Sequence, residues 1–459
     1  MVDDATVDGN LDDARRDATV AEACERALAL VGGRADAVVR ASVGTSSLTR
    51  FANSRIHQNL REDLARVTVT VGVEGRVARA GTSRLDADGL SAVVERALTA
   101  AALRPVDPHF AGFAPPAPVV PVDHWDDATA HATPDDRAAV VAAFVGGNGT
   151  EAAGFCSTRA VSHALASTTG QWAVGRRSVA RLDGIHRATG RDEVADGCAQ
   201  ATSVRLAAVD GAACGARAAA RARAGLGAIS LAPGPYEVVL EPRAVAAALL
   251  YPALVGFNGK RHAEGTSFVR LGEQQWDRSV DIWDDATDPR ALGDGHDPEG
   301  TPKRRLDLVR AGVSVGLAHD RRSARLAEVE PTGHSVGSDA VGGYPTDLFM
   351  AGGGLTPEQL VGGVEHGLLV ADLWYNRLLD PKTQVVTGLT RNGLFLVEGG
   401  QVTRPVQNLR HTQSIVAAFG PGRVLGVGDD AQLVGGEGST MHVPGVRLAA
   451  WSFTGNARG

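Results

Sequence analysis

Between Arg66 and Gly81 the chain alternates valine with small or polar residues around a Glu74-Gly75 pair, a period-two pattern that predicts a β-hairpin. Upstream, residues 21–31 carry an amphipathic helical pattern, residues 35–43 read as a strand, and residues 47–60 as a second strand with its turn. A helix is predicted over residues 86–103, stopped by Pro105. Another is marked over 133–145 by Thr133 as N-cap, Pro134 in the first turn, and Asp135 and Asp136 at the positive end of the dipole. Alternating stretches at 154–159, 162–167 and 178–182 predict an antiparallel meander, and a helix over 212–224 follows, with Arg217, Arg221 and Arg223 on a solvated face. Hairpins interleaved with helices, without a βαβα rhythm, place the chain in the α+β class.

Past Pro233 the pattern changes. A turn at 233–236 leads into a short apolar strand ending at Leu240, then into residues 243–251, which are apolar almost all round and suit a helix buried against a sheet. Residues 276–285 read as a strand, and residues 394–406 as a hairpin closed by Gly399-Gly400, which suits a structural hairpin in a barrel-like sheet first and, as an alternative, an outer edge that offers backbone groups to an extended peptide. The expected architecture is an N-terminal mixed portion of hairpins and helices and a C-terminal, mostly antiparallel, barrel-like β domain. Its expected divisions are a loose acidic leader at 1–17, an α+β domain at 18–112, a middle segment at 113–228 opening on the proline-rich stretch 115–123, and the β domain at 229–459.

Composition narrows the function classes. At 459 residues the chain has room for two or three domains and a sizeable core. A net charge of -7 and a pI near 6.0 disfavour nucleic acid and anionic membranes as partners. Lys303, Arg304 and Arg305 form a short basic run that suits a solvated turn. No window approaches the roughly 18 apolar residues of a membrane span, and the acidic start has no signal-peptide pattern, so a cytoplasmic protein is expected. Cys24, Cys156, Cys198 and Cys214 form no CxxC pair and are expected to be reduced and buried.

Candidate chemistry is sparse. Thirteen histidines include no HExxH or HExxxH, and His262 with Glu264 is spaced too closely to hold a metal alone. Gly333 to Gly337 fits G-x-S-x-G, but the residues after it cannot begin the helix that a nucleophile elbow requires. Asn148-Gly149-Thr150 matches a glycosylation sequon that a cytoplasmic chain would leave unmodified.

Several short runs recur in a recognisable order. They are Gly265-Thr266-Ser267, the turn-strand-strand-helix run 294–325 ending in Asp320-Arg321-Arg322-Ser323-Ala324-Arg325, Thr332-Gly333-His334, the Pro357-Glu358 helix start, Gly367-Leu368, Tyr375-Asn376-Arg377, Thr387-Gly388-Leu389 and 397–406. On these the chain resembles the TldD/PmbA family of zinc metallopeptidases, over Pro233 to Pro444, and Asn53 to Gln58 is similar to the family's N-terminal signature. The resemblance implies a dimer around an internal chamber, in which a TldD-type subunit carries zinc on a His-Glu-x-x-x-His helix and cleaves unfolded peptides. Counted back from Gly265-Thr266-Ser267, the ligand positions fall on Leu250, Tyr251 and Val255, and Gly436 stands where the catalytic member has a cysteine. Leucine, valine and glycine have no donor, and tyrosine does not replace the glutamate that works on a zinc-bound water.

The resemblance therefore points to the PmbA (TldE)-type branch: no catalytic residue, metal or cofactor in this chain, zinc in a TldD-type partner, and a role as the non-catalytic subunit completing the chamber. Candidate peptide-binding residues are Asn53, Ser54, His57, Gln58, His262, Thr266 and Ser267. A lone histidine such as His57 between polar strand residues also suits a plain surface hydrogen-bonding role. Two alternatives stand beside this reading: a homodimeric peptide-binding protein with no catalytic partner, and an active metallopeptidase with ligands relocated to His262, His366 or His442.

Overall fold

A computed structural model of the chain describes residues 13–147, 149–436 and 438–456. Its N-terminal half runs α1 (Asp13–Val31), β1 (Asp36–Ala52), β2 (Arg55–Val73), β3 (Arg76–Thr82), α2 (Ala87–Ala102), α3 (Asp127–Ala130), α4 (Pro134–Val145), β4 (Glu151–Ser167), β5 (Trp172–Thr189), β6 (Val194–Ser203) and α5 (Gly211–Ala224). The strands form one antiparallel six-stranded sheet in the order β3-β2-β1-β4-β5-β6. The predicted hairpin is the β2–β3 pair, and Glu74 and Gly75 both take the positive φ that its turn demands. The cap of α4 is a full capping box between Thr133 and Asp136.

Strand alternation gives this sheet two unlike faces. One carries Val39, Ala41, Ala164 and Ala166 beneath α1 and α2, and Phe51, Cys156 and Leu182 beneath α4 and α5. The other carries Arg40, Ser42, His163 and Arg177 at the intervening positions and turns toward the C-terminal half.

Several predicted elements are longer than their sequence patterns. β1 is one unbroken strand where two were expected, because β2 and β4 pair with it on both sides through the polar run Gly44 to Ser47 and satisfy its backbone whatever the side chains. A β-carbon at Gly44 would stand 2.0 Å from the Ala160 carbonyl oxygen, so only glycine permits that approach. β4 and β5 are likewise single strands of 17 and 18 residues in place of three short ones. The first helix begins at Asp13, where Arg16 is buried and pairs with Asp13, so residues 13–17 of the expected leader are helical; residues 1–12 lie outside the described residues. Arg221 is not simply solvated: its guanidinium donates to Glu241, and Arg217 reaches the Cys214 sulfur.

The C-terminal half contains β7 (Gly234–Leu240), α6 (Pro242–Tyr251), α7 (Gly259–Ala263), β8 (Ile282–Asp284), β9 (Leu306–Arg310), β10 (Val313–Ser314), α8 (Arg321–Ala327), β11 (Asp347–Met350) and α9 (Pro357–Gly362). It continues with β12 (His366–Asp380), β13 (Val385–Glu398), β14 (Gln401–Pro405), β15 (Leu409–Ser414), α10 (Ile415–Ala418), β16 (Val424–Val427), β17 (Gln432–Gly436), β18 (Ser439–Val443) and β19 (Val446–Asn456). Strands β12-β7-β19-β15-β13 close on themselves through the β12–β13 pairing, forming a five-stranded barrel that is antiparallel except at β7–β12. A second sheet, β10-β9-β8-β11-β18-β17, packs beside it with one parallel pair, β11–β18. Residues 276–281, expected within a strand, instead carry Trp276 into an aromatic cluster with Phe257, Phe268 and Phe419, leaving only Ile282–Asp284 as β8. All four cysteines are free and buried, and burial pushes the thiols of Cys24 and Cys156 up to about 12. Among the described residues no helix is long and apolar enough to cross a membrane.

Candidate functional site

Pro242 fits the first turn of α6, where a missing N–H leaves no bond unmade, and the helix buries Ala244, Val245, Ala248 and Leu249 against the barrel. Pro252 cannot continue the regular ladder, and the chain widens into a single π turn over Pro252–Gly256, closed by Phe257 N donating to the Pro252 carbonyl at 2.8 Å. Gly256 in that turn lets the Phe268 ring lie against the backbone.

The positions to which the resemblance assigns zinc ligands lie on this stretch and on β17. Leu250 and Val255 present half-buried hydrocarbon. The Tyr251 hydroxyl donates to the Asn376 carbonyl at 2.9 Å, and the Asn376 side-chain oxygen lies 3.1 Å from His411 Nε2. Burial pulls His411 down to about 4, so its ring is neutral at physiological pH. At Gly436 a β-carbon would stand 3.2 Å from a guanidinium nitrogen of Arg181. Arg181 pairs with Asp183 at 2.7 Å; Asp183 also takes Arg243 of α6 at 3.2 Å, and Arg243 reaches Asp372 of β12 at 3.1 Å. Burial lowers the Arg243 pKa, but Asp372 and Asp183 outweigh it and hold the group above its ordinary value. These residues do not fit a zinc ion: three positions lack a donor, the fourth spends its hydroxyl on the backbone, and a fixed cation stands beside Gly436. Among the described residues no three His, Cys, Asp or Glu side chains converge as a metal site.

The candidate peptide-binding residues fall into two groups. Asn53 and Ser54 form the tight β1–β2 turn, both at positive φ, and Ser54 is bonded to Ala152 through both its hydroxyl and its backbone. His57 is the extra residue of a β-bulge opposite Arg50 and Phe51 and is exposed, while Gln58 pairs with Arg50. Thr266 and Ser267 turn their hydroxyls inward, onto the carbonyls of Arg261 at 3.0 Å and Gly256 at 2.6 Å, where they fix the exit of the π turn. His262 lies on α7, partly exposed. No hydrogen bond or ring contact among the described residues joins one group to the other.

Sequence patterns did not reveal a third feature, a buried charged network under the loops 293–303 and 332–347. His334 Nε2 meets Asp284 at 2.8 Å, and Lys303 lies 3.3 Å from Asp347 with its ammonium on Thr346 Oγ1 at 2.5 Å. Burial alone would raise Asp284, but His334 and Lys303 outweigh it and keep the carboxyl below the usual range. Ser335 of the G-x-S-x-G run is buried with its hydroxyl accepting from Gly337 N, and no helix follows it, so no nucleophile elbow forms. The basic run 303–305, expected as a solvated turn, instead sends Lys303 into this network, where Asp347 and Thr346 hold its ammonium. Asn148 of the sequon lies outside the described residues.

Comparison with known proteins places this geometry. Residues 233–455 match the family model described as PmbA/TldA metallopeptidase C-terminal domain. Over 95% of this chain and 100% of the other, the fold is similar to that of TldE from Thermococcus kodakarensis, with a TM-score of 0.86 at 16% identity. It is also similar to a protein from Thermotoga maritima described as a modulator of a DNA gyrase, with a TM-score of 0.84 at 17% identity over 95% of this chain and 100% of that one. A protein from Bacteroides thetaiotaomicron under a similar description gives 0.81 at 18% identity over 97% and 99%. Identities this low establish the fold alone.

Proposed function

The chain belongs, through residues 233–455, to the TldD/PmbA family, and we propose that it is a TldE-type, non-catalytic subunit that completes the chamber of a peptidase acting on unfolded peptides. The observation that carries this reading is the donor set at Leu250, Tyr251, Val255 and Gly436, which offers nothing to a zinc ion and sets Arg181 beside the last of them. Zinc and the cleaving chemistry then belong to a TldD-type partner.

Peptide capture draws support from an open sheet edge. β3 pairs only with Val67–Val73 of β2, and among the described residues no strand pairs with the outer edge of β2 from Ile56 to Arg66. An extended peptide added there would be held by main-chain hydrogen bonds that do not depend on its sequence. The β14 edge is shorter, five residues ending at Pro405, and Ile229 already bridges its end.

Elemental analysis of the purified chain, with peptide hydrolysis measured alone and after mixing with a TldD-type subunit, tests the proposal. The expected outcome is substoichiometric zinc and no hydrolysis alone, with cleavage appearing only in the mixture. One zinc per chain together with hydrolysis by the chain alone would sink it.

A further inference from the structure

The face of the N-terminal sheet that the helices leave uncovered closes against residues 293–303 around a cavity of about 200 Å³. A second cavity of about 300 Å³ shares Arg159, Arg177, Asp294 and His296 with it. Cross-strand register explains the charge of the first: Ser42 stands opposite both Arg66 and His163, and Val161 opposite Arg177, so side chains from four neighbouring strands point the same way.

Two carboxylates line this space, and both are already engaged. Asp294 lies 3.4 Å from Arg177 and 3.6 Å from His163. Asp297 accepts from the backbone N–H groups of Glu299, Thr301 and Ser335 at 2.9 to 3.0 Å. Arg40 and Arg66 form no ion pair with a carboxylate among the described residues. His296 is 9% exposed; its Nδ1 lies 2.9 Å from the Asp297 carbonyl, and its Nε2 is buried with no partner among the described residues. Burial, and then the repulsion of Arg79, draw Arg40 down to about 10, against the opposing attraction of Asp297 and Asp294.

We propose that this cavity is a carboxylate-binding site, in which Arg40 and Arg66 take the anion. Guanidinium forks match a carboxylate's two oxygens, and a single negative charge answers the two unpaired arginines without forcing a second charge against Asp294. That the carboxylate is carried by a peptide, at its C-terminus or on an aspartate or glutamate side chain, rests on the reading given above; the site itself does not.

Two measurements on the full chain test it. Thermal unfolding in sodium acetate against sodium chloride at equal ionic strength is expected to show acetate stabilising the wild type and not Arg66→Gln or Arg40→Gln. Fluorescence anisotropy with rhodamine-labelled apolar peptides is expected to show the free-acid form binding on the order of tenfold tighter than the amidated form, with the difference lost in Arg66→Gln. Recovery of affinity by an amidated peptide with one internal glutamate assigns the site to side-chain carboxylates, and its absence assigns it to the C-terminus. Arg66-dependent stabilisation by acetate without binding of any peptide keeps the site and ends the peptide reading. Peptides that bind equally well as acid and amide keep that reading and overturn the site. Acetate that acts no differently from chloride, or an Arg66-dependent gain larger with inorganic phosphate, also overturns it.

Discussion

The two faces of the N-terminal sheet are built from the same strands and obey opposite rules. Beneath the helices, alternate positions are valine, alanine, phenylalanine and cysteine, nearly all without exposure. On the reverse, the intervening positions around the cavity are arginine, serine and histidine, held against a loop that brings its own buried charges, with a small apolar cluster of Val38, Leu165 and Ala173 beside them. Apolar burial stabilises the fold through the first face, at about 25 cal/mol per Å² removed from water. The cationic part of the second face gains little from that effect, so its arginines need a different explanation, and an anion is the simplest one. Stability and binding are thereby separated by one residue of register.

The sharpest way to break the comparison is to substitute on each face in turn. Phe144 of α4 is fully buried, with its ring 5.5 Å from Phe51 and 4.9 Å from His186. Phe144→Ala is expected to cost about 3–5 kcal/mol, because the cavity beneath α4 cannot collapse against strands paired on both sides. Arg66→Gln on the other face, at an exposed position, is expected to change stability by less than about 0.5 kcal/mol while altering carboxylate binding. Denaturant unfolding of both variants measures the contrast; equal losses would show that the two faces are not separate in role.

The next largest effect belongs to the wall that closes the cationic face. Asp284 accepts from the Asp347 backbone N–H at 2.6 Å, meets His334, and balances Lys303. Asp284→Asn leaves a buried ammonium with less compensation and is expected to cost about 2–3 kcal/mol in chemical denaturation at neutral pH. A loss near zero would mean that Lys303 is satisfied by Asp347 alone.

How much of this was legible follows the same division. The Glu74-Gly75 hairpin, the Thr133 cap of α4 and the buried helix after Pro242 all rest on local rules of turn, cap or period, and each was readable from a few consecutive residues. β1 was not, because the ladder through Gly44 to Ser47 is held by neighbours far away in sequence, Val161 opposite Gly44 among them. Trp276 broke a predicted strand for a similar reason: its aromatic partners Phe257, Phe268 and Phe419 are scattered along the chain. Of the candidate site, the emptied positions on α6 were visible through the resemblance. The convergence of Arg40, Arg66 and His296 was not, since strand pairing brings together residues that no short motif contains.

The last effect has the opposite sign and isolates the closing loop itself. Glu299 lies one residue beyond Pro298, with its carboxyl accepting from Arg321 N at 2.9 Å. Burial, and then the neighbouring Asp297, push its pKa from 4.5 up to about 8. The folded state thus keeps a proton that the unfolded chain releases, so the stability this group contributes is fully present below pH 4.5 and is lost as pH rises through about 8. Glu299→Gln carries a neutral side chain of the same shape that can still accept from Arg321. It is expected to match the wild type near pH 4.5 and to exceed it increasingly as pH rises toward 8, flattening the pH dependence of unfolding. A variant less stable than the wild type at pH 8 would mean that Glu299 is charged in the folded protein and that its negative charge, added to that of Asp297, offsets the cations of the neighbouring sheet face. The carboxylate site would then have to be redrawn with one more acid in its wall.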